Sequence, residues 1–131
     1  MFIPAGRRVS VPESVQNALA RFFGEDVARV GVIEFSLFAR LHWNALATTR
    51  RRRIYLRGSA EDFFNDPALM MHEYFHVMNQ WEPRVLTTAR YVLEWMRRGY
   101  WLNRFEVEAR QFTADNVHTF RQLLKGPRAS A

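Results

Sequence analysis

The chain has 131 residues, 48% apolar and 15% aromatic, which is enough for one modest core and too little for two. It contains no cysteine, which excludes disulfides, thiolate metal sites and thiol nucleophiles and leaves His, Asp and Glu as the strong metal ligands. No window approaches the roughly 18 uncharged apolar residues of a membrane-spanning helix, and the net charge of +6 rests almost wholly on arginine, Lys125 being the sole lysine. A basic balance of this kind suits either a phosphate partner or simple solubility. The opening "MFIPAGRRVSVPES" has no apolar stretch before its first charges, so no secretory signal is expected. The expectation is a soluble, cytoplasmic protein with one domain over residues 1–125 and a short disordered tail, 126–131.

In chain order, Ser10 stands three before Glu13, the spacing of a capping box, ahead of "SVQNALARFFG", an amphipathic helix closed by Gly24. "VARVGV", "ALATT" and "RRIYLRG" read as strands, with "EFSLFARLHW" helical between the first two. The last two strands form a hairpin whose turn carries Arg50 and Arg51. The run Arg50–Arg53 is thereby expected to be a solvated turn with no specific nucleic-acid role. Asp66 and Pro67, as N-cap and first helical residue, open a helix that runs to about Gln80 and is apolar on nearly every side. A second helix spans about Val85 to Arg98, with Val85, Ala89, Val92, Leu93 and Met96 on one face, and ends at Gly99. A third runs from near Arg104 to about Leu124. The fold class is α+β: a small sheet with an N-terminal helix, followed by a helical half.

That apolar helix contains "HEYFH". Residues four apart on a helix are turned by about 40° and displaced by about 6 Å, so His72 and His76 present their imidazoles to one point, as two ligands of one Zn²⁺ must. The adjacent Glu73 points to one side, where it can act as a general base. The motif would arise in roughly 1% of shuffled sequences of this composition. A catalytic zinc site needs a third protein ligand and an open fourth position. Of the two nearby candidates in "NRFEVEARQFTADN", Glu106 lies at the edge of the apolar face formed by Phe105, Ala109, Phe112, Val117, Phe120, Leu123 and Leu124, whereas Glu108 falls on the polar side with Gln111 and Asp115. Glu106 is therefore the expected third ligand and Glu108 a solvated helix residue.

The pair "HEYFH" and "EVEAR" resembles the gluzincin pattern, in which HExxH is followed on a later helix by a glutamate with a small residue three positions on, here Ala109. More closely, "ARVGV…ALATTRRRRIYLRGS…ALMMHEYFHVMNQ" resembles the HExxH domain of extracellular contractile injection systems, and more distantly "EVEARQFTA" resembles the E-x-x-A-x-x-F-A helix of ImmA/IrrE peptidases. The resemblance covers roughly residues 28–116 and implies a zincin-like fold, zinc as cofactor, ligands His72, His76 and Glu106, and Glu73 as catalytic base. Many gluzincins carry an acidic residue four after the glutamate ligand to orient a histidine, where this chain has Arg110; Asn79 or Gln80 are substitutes for that contact. The expected reaction is hydrolysis of a peptide or protein substrate, and the alternative is a catalytically silent, zinc-stabilised scaffold or interaction module. Tyr100, Tyr91 and His118 are candidates to stabilise the oxyanion, Tyr100 first. Trp81, Trp95 and Trp101 read as core or groove lining.

Overall fold

A computed structural model describes residues 6–36 and 47–126. It is mixed α+β, as the sequence indicates. Strand β1 (Arg7–Val9) leads to helix α1 (Glu13–Phe23), a 3₁₀ turn (Glu25–Arg29) and β2 (Gly31–Glu34). The hairpin β3 (Ala47–Arg50) and β4 (Arg53–Leu56) is followed by the short helix α2 (Ala60–Phe64) and by α3 (Pro67–Phe75), which continues as a π-helical segment, His76–Trp81. Helices α4 (Thr88–Leu102) and α5 (Arg104–Leu124) complete the described chain.

The four strands lie in the order β1-β2-β4-β3, with β2 and β4 parallel and the outer pairs antiparallel. Among the described residues β3 lies at an edge of the sheet, beside the C-terminal part of α3. The core gathers one face of α1 (Val15, Leu19), the sheet (Val32, Ile54, Leu56) and α3 (Met70, Met71, Tyr74), closed by Phe120 of α5. Helix α3 is thus covered from several directions. That accounts for its apolar sequence and makes every polar group on it costly to leave unpaired.

Several boundaries differ from the sequence reading for identifiable reasons. Ser10 makes no capping contact: Pro12 occupies the N-cap of α1 with no side-chain bond, and Glu13 sits in the first turn, where a carboxylate meets the positive end of the helix dipole. Gly24 does end α1, at φ 81°, in the left-handed region that glycine enters without strain. Residues 27–29 of "VARVGV" wind into the 3₁₀ turn, and strand pairing begins only at Gly31. Strand β1, at three residues too short to show alternation, exists through its pairing with β2. Glu34, expected to open a helix, is the last residue of β2. Its buried carboxylate accepts the Ala60 N–H at 2.8 Å and pairs with Arg7, and the Ala60 amide is the main influence holding its pKa below the usual value. Most of the helix expected over "EFSLFARLHW" lies outside the described residues, as does the tail beyond Gly126.

The hairpin is shifted by one residue: Arg50 and Arg53 are the closing pair, and Arg51 and Arg52 form the turn, Arg52 at φ 61°. The run is only partly a solvated turn. Arg52 pairs with Glu82 at 3.2 Å, and the Arg50 guanidinium lies 5.8 Å from the centre of the Trp81 ring. The largest difference is α4, none of whose residues is buried. Its apolar side chains face solvent: Val92 is 47% exposed, Leu93 49% and Met96 71%.

Tyr74 is fully buried, stacked on Phe23 and Phe63, and among the described residues its hydroxyl has no hydrogen-bond partner. Burial also pushes its pKa well up. A buried, unpaired hydroxyl carries its full desolvation cost. Replacement Tyr74→Phe keeps the ring contacts and should raise the unfolding free energy by about 1 kcal/mol in urea titrations, whereas a loss of stability would reveal a partner for that hydroxyl.

Candidate metal centre

Two helices carry the candidate ligands, and each is held at its start by a side-chain cap. Asp66 accepts the Leu69 N–H at 3.1 Å at the head of α3. Asn103, fully buried, accepts the Phe105 N–H at 2.9 Å at the head of α5 and donates from its amide to the Tyr91 carbonyl at 3.3 Å, so it also ties α4 to α5. Asn103 was not among the sequence candidates, although an asparagine directly before a helix start is the ordinary N-cap signal. It places Glu106 in the first turn of α5, where the dipole favours a carboxylate.

The structure brings His72, His76 and Glu106 together. Glu106 Oε1 lies 2.9 Å from His72 Nε2 and 3.0 Å from His76 Nε2, and the two Nε2 atoms are 3.1 Å apart. These three atoms form a nearly equilateral triangle. Ligands at about 2.0–2.1 Å around a tetrahedral ion stand about 3.3 Å from one another, so the donor set fits a divalent ion of zinc's size after a small expansion. His72, Glu73 and His76 also form a group whose ligand atoms lie within 4.8 Å of one another. Glu73 is the looser member, with Oε1 4.0 Å from His72 Nε2, so on distance Glu106 is the better third ligand and Glu73 stands beside the triangle.

The surroundings determine how these groups ionise. Burial disfavours a charge on His76, but the carboxylates of Glu106 and Glu73 outweigh it and raise the imidazole from 6.5 to about 9. Glu106 is also buried, yet hydrogen bonds from His72 and His76 hold its carboxyl well below the usual range. The two effects describe one ion pair, with a proton on His76 where a metal would bind. Burial pushes Glu73 up despite the neighbouring histidines.

His76 opens the π segment that follows α3. Its Nδ1 lies 2.6 Å from Gln80 Oε1, and the Gln80 amide donates to the Phe105 carbonyl at 2.9 Å and to Glu108 Oε1 at 3.3 Å. Gln80 therefore makes the imidazole contact, and Asn79 is exposed. Glu108 is more than a solvated helix residue, because it accepts from this buried amide. On the other side of Glu106, the Tyr91 hydroxyl donates to Oε2 at 2.8 Å. Tyr100, 54% exposed, reaches Oε1 at 3.5 Å, and burial of its ring with the nearby carboxylates pushes its pKa up to about 12. His118 is exposed on α5, twelve residues and about 18 Å of helix past Glu106, so it is not brought to the site. Arg110 turns away as well: its guanidinium stacks 3.9 Å from the Trp101 ring centre and donates to the Trp101 carbonyl.

The triangle opens into a cleft of about 360 Å³, walled by β3 on one side and α4 on the other, with Glu73, His76 and Glu106 among its lining. Trp81 and Trp95 line it, as expected, and Trp81 Nε1 donates to Thr49 Oγ1 at 3.1 Å. The i→i+5 winding of the π segment, seen in the Glu82 N–H to Val77 carbonyl bond of 2.9 Å, turns Trp81 toward the face that carries His76; π-bulges often serve this purpose at functional sites. Trp101, 67% exposed beneath Arg110, belongs to neither core nor cleft.

Fold and site together define a small α+β domain with a histidine–carboxylate cluster that could hold a metal ion, set in an open cleft. The eCIS core domain family model matches residues 10–84, more than half of the chain, and the protein belongs to that family. The matched segment contains the HExxH helix and ends before α4 and α5, which supply Tyr91, Tyr100 and Glu106. No curated protein and no solved structure matches the chain.

Two tests follow from this geometry. Glu106→Ala should weaken metal retention by more than the roughly 10–100-fold typical of a lost supporting contact, while Glu108→Ala should largely preserve it; elemental analysis and chelator competition report both, and the reverse pattern would make Glu108 the ligand. The second test concerns protons. With His76 raised from 6.5 to about 9, the metal-free fold has the full benefit of the proton below pH 6.5 and loses it as pH rises through 9. Its thermal midpoint should decline across that window, and metal binding at pH 7.5 should release about one proton from His76, measurable by calorimetry in buffers of different ionisation enthalpy.

Proposed function

We propose that the protein is a zinc-dependent peptidase working within a contractile injection system. The observation that carries this reading is the placement of Glu73. It is a buried carboxylate beside the three converging ligand atoms, not among them, with its pKa raised by desolvation. A closed structural site has no use for such a group, whereas hydrolysis needs a base that takes a proton at the cleft and returns it to the leaving amine. When bound, zinc would supply Lewis acidity to a water and to the scissile carbonyl.

The chain's own residues account for the rest. His72, His76 and Glu106 would hold the ion, and the Tyr91 hydroxyl fixes the free oxygen of Glu106. Tyr100 remains protonated at neutral pH and lines the cleft, so it can donate to a developing oxyanion. Among the described residues, β3 is the edge strand beside the cleft, and a free edge binds an extended peptide through main-chain hydrogen bonds. This supports a polypeptide substrate.

The exposed apolar face of α4 favours a second reading, in which the domain is an interaction module and the metal holds its two halves together. Glu73→Gln separates the two. In the peptidase, cleavage of a responsive peptide from a library should fall about 10²–10⁴-fold while metal content and thermal midpoint stay unchanged. Unaltered cleavage, or a variant that keeps every cellular function of the wild type, would favour the module.

A further inference from the structure

We infer that Gln80 is the residue that positions His76 for the metal and sets the distance between the two ligand-bearing helices, a function that requires an amide in particular. The inference rests on the metal-site reading above.

The argument begins with accounting for buried polar groups. Gln80 is 2% exposed, so each of its amide atoms needs a partner. Oε1 accepts from His76 Nδ1 at 2.6 Å, while Nε2 donates to the Phe105 carbonyl at 2.9 Å and to Glu108 Oε1 at 3.3 Å. The acceptors around Nε2 fix which end of the amide is which. With its Nδ1 proton committed to Gln80, His76 turns Nε2 toward His72 and Glu106, and that is the atom in the ligand triangle. The same amide grips the backbone of α5 at Phe105, directly before Glu106. One side chain therefore orients one ligand and locates the next helix's contribution.

A carboxylate at position 80 could do only half of this. It would accept from His76, but it has no N–H for the Phe105 carbonyl and would face Glu108 with like charge. An apolar side chain could do neither. Arg110, whose guanidinium is engaged with the Trp101 ring and carbonyl, leaves the orienting contact to Gln80. The position is also a consequence of winding: His76 and Gln80 are the first and fifth residues of the π segment, on one face of it.

Three proteins test the inference: wild type, Gln80→Leu and Gln80→Glu. Two quantities are measured on each, zinc affinity by chelator competition with the visible spectrum of the cobalt form, and the thermal midpoint of the metal-free protein. Gln80→Leu should lose about 10–100-fold in zinc affinity, with a broadened or shifted cobalt spectrum, because His76 loses its partner. Gln80→Glu should lose less zinc affinity than Gln80→Leu, since the imidazole contact survives, yet fall below wild type, and its metal-free midpoint should drop, because the link to α5 is lost. A role in packing alone would lower both midpoints and leave zinc affinity and the cobalt spectrum of Gln80→Leu within about threefold of wild type, which would overturn the inference. Wild type that binds neither metal would overturn the metal-site reading, and this inference with it.

Discussion

The site depends on a single carboxylate oxygen, Glu106 Oε1, held 2.9 and 3.0 Å from two imidazole nitrogens among largely buried side chains that line the cleft. It joins α3 to α5 across the domain. In the metal-free protein a shared proton makes this contact favourable, raising His76 and depressing Glu106. Such an arrangement is poor as a permanent ion pair, because desolvating both charges costs several kcal/mol each before their attraction repays it. A divalent ion in place of the proton would offset that cost more fully. On these grounds the cluster gains little as a permanent salt bridge and could hold a metal ion.

Around that contact the domain is built in supporting layers. Asn103 starts α5 at the right residue and fastens it to α4, Tyr91 holds the second oxygen of Glu106, and Gln80 holds His76. Each is a neutral hydrogen-bonding group. Neutral partners hold these side chains without adding charge to a buried site that already contains Glu73 and Glu106.

The exposure of α4 has a related origin. The helix is anchored through Tyr91, Asn103 and the buried Leu86 just before it, and it serves as a wall of the cleft. A wall must present apolar surface to whatever enters, so Val92 and Trp95 face the opening while Met96 and Trp101 remain in solvent. The kink at Gly99, φ 73°, turns the chain sharply enough for α5 to begin five residues later beside α3.

The sequence by itself determined the class of fold, the long helices and the two histidines with their neighbouring glutamate, because these follow from local rules: capping at Asp66, a helical repeat of 3.6 residues, and a motif whose geometry is contained in one turn. Periodicity also placed Glu106 at the edge of the buried face, since a single amphipathic helix records which way its residues point. What only the tertiary structure decided concerns partners distant in sequence. No local rule reports that β1 pairs with β2, that Glu34 is held by Ala60 and Arg7, or that the α4 face stays uncovered. Gln80 and Glu108 show the difference most directly. The sequence offers Gln80 beside Asn79 as a partner for a histidine and Glu108 as a solvated residue, and the two meet because a π-helical turn and the packing of α5 against α3 bring a buried amide to a surface carboxylate 28 residues further along the chain.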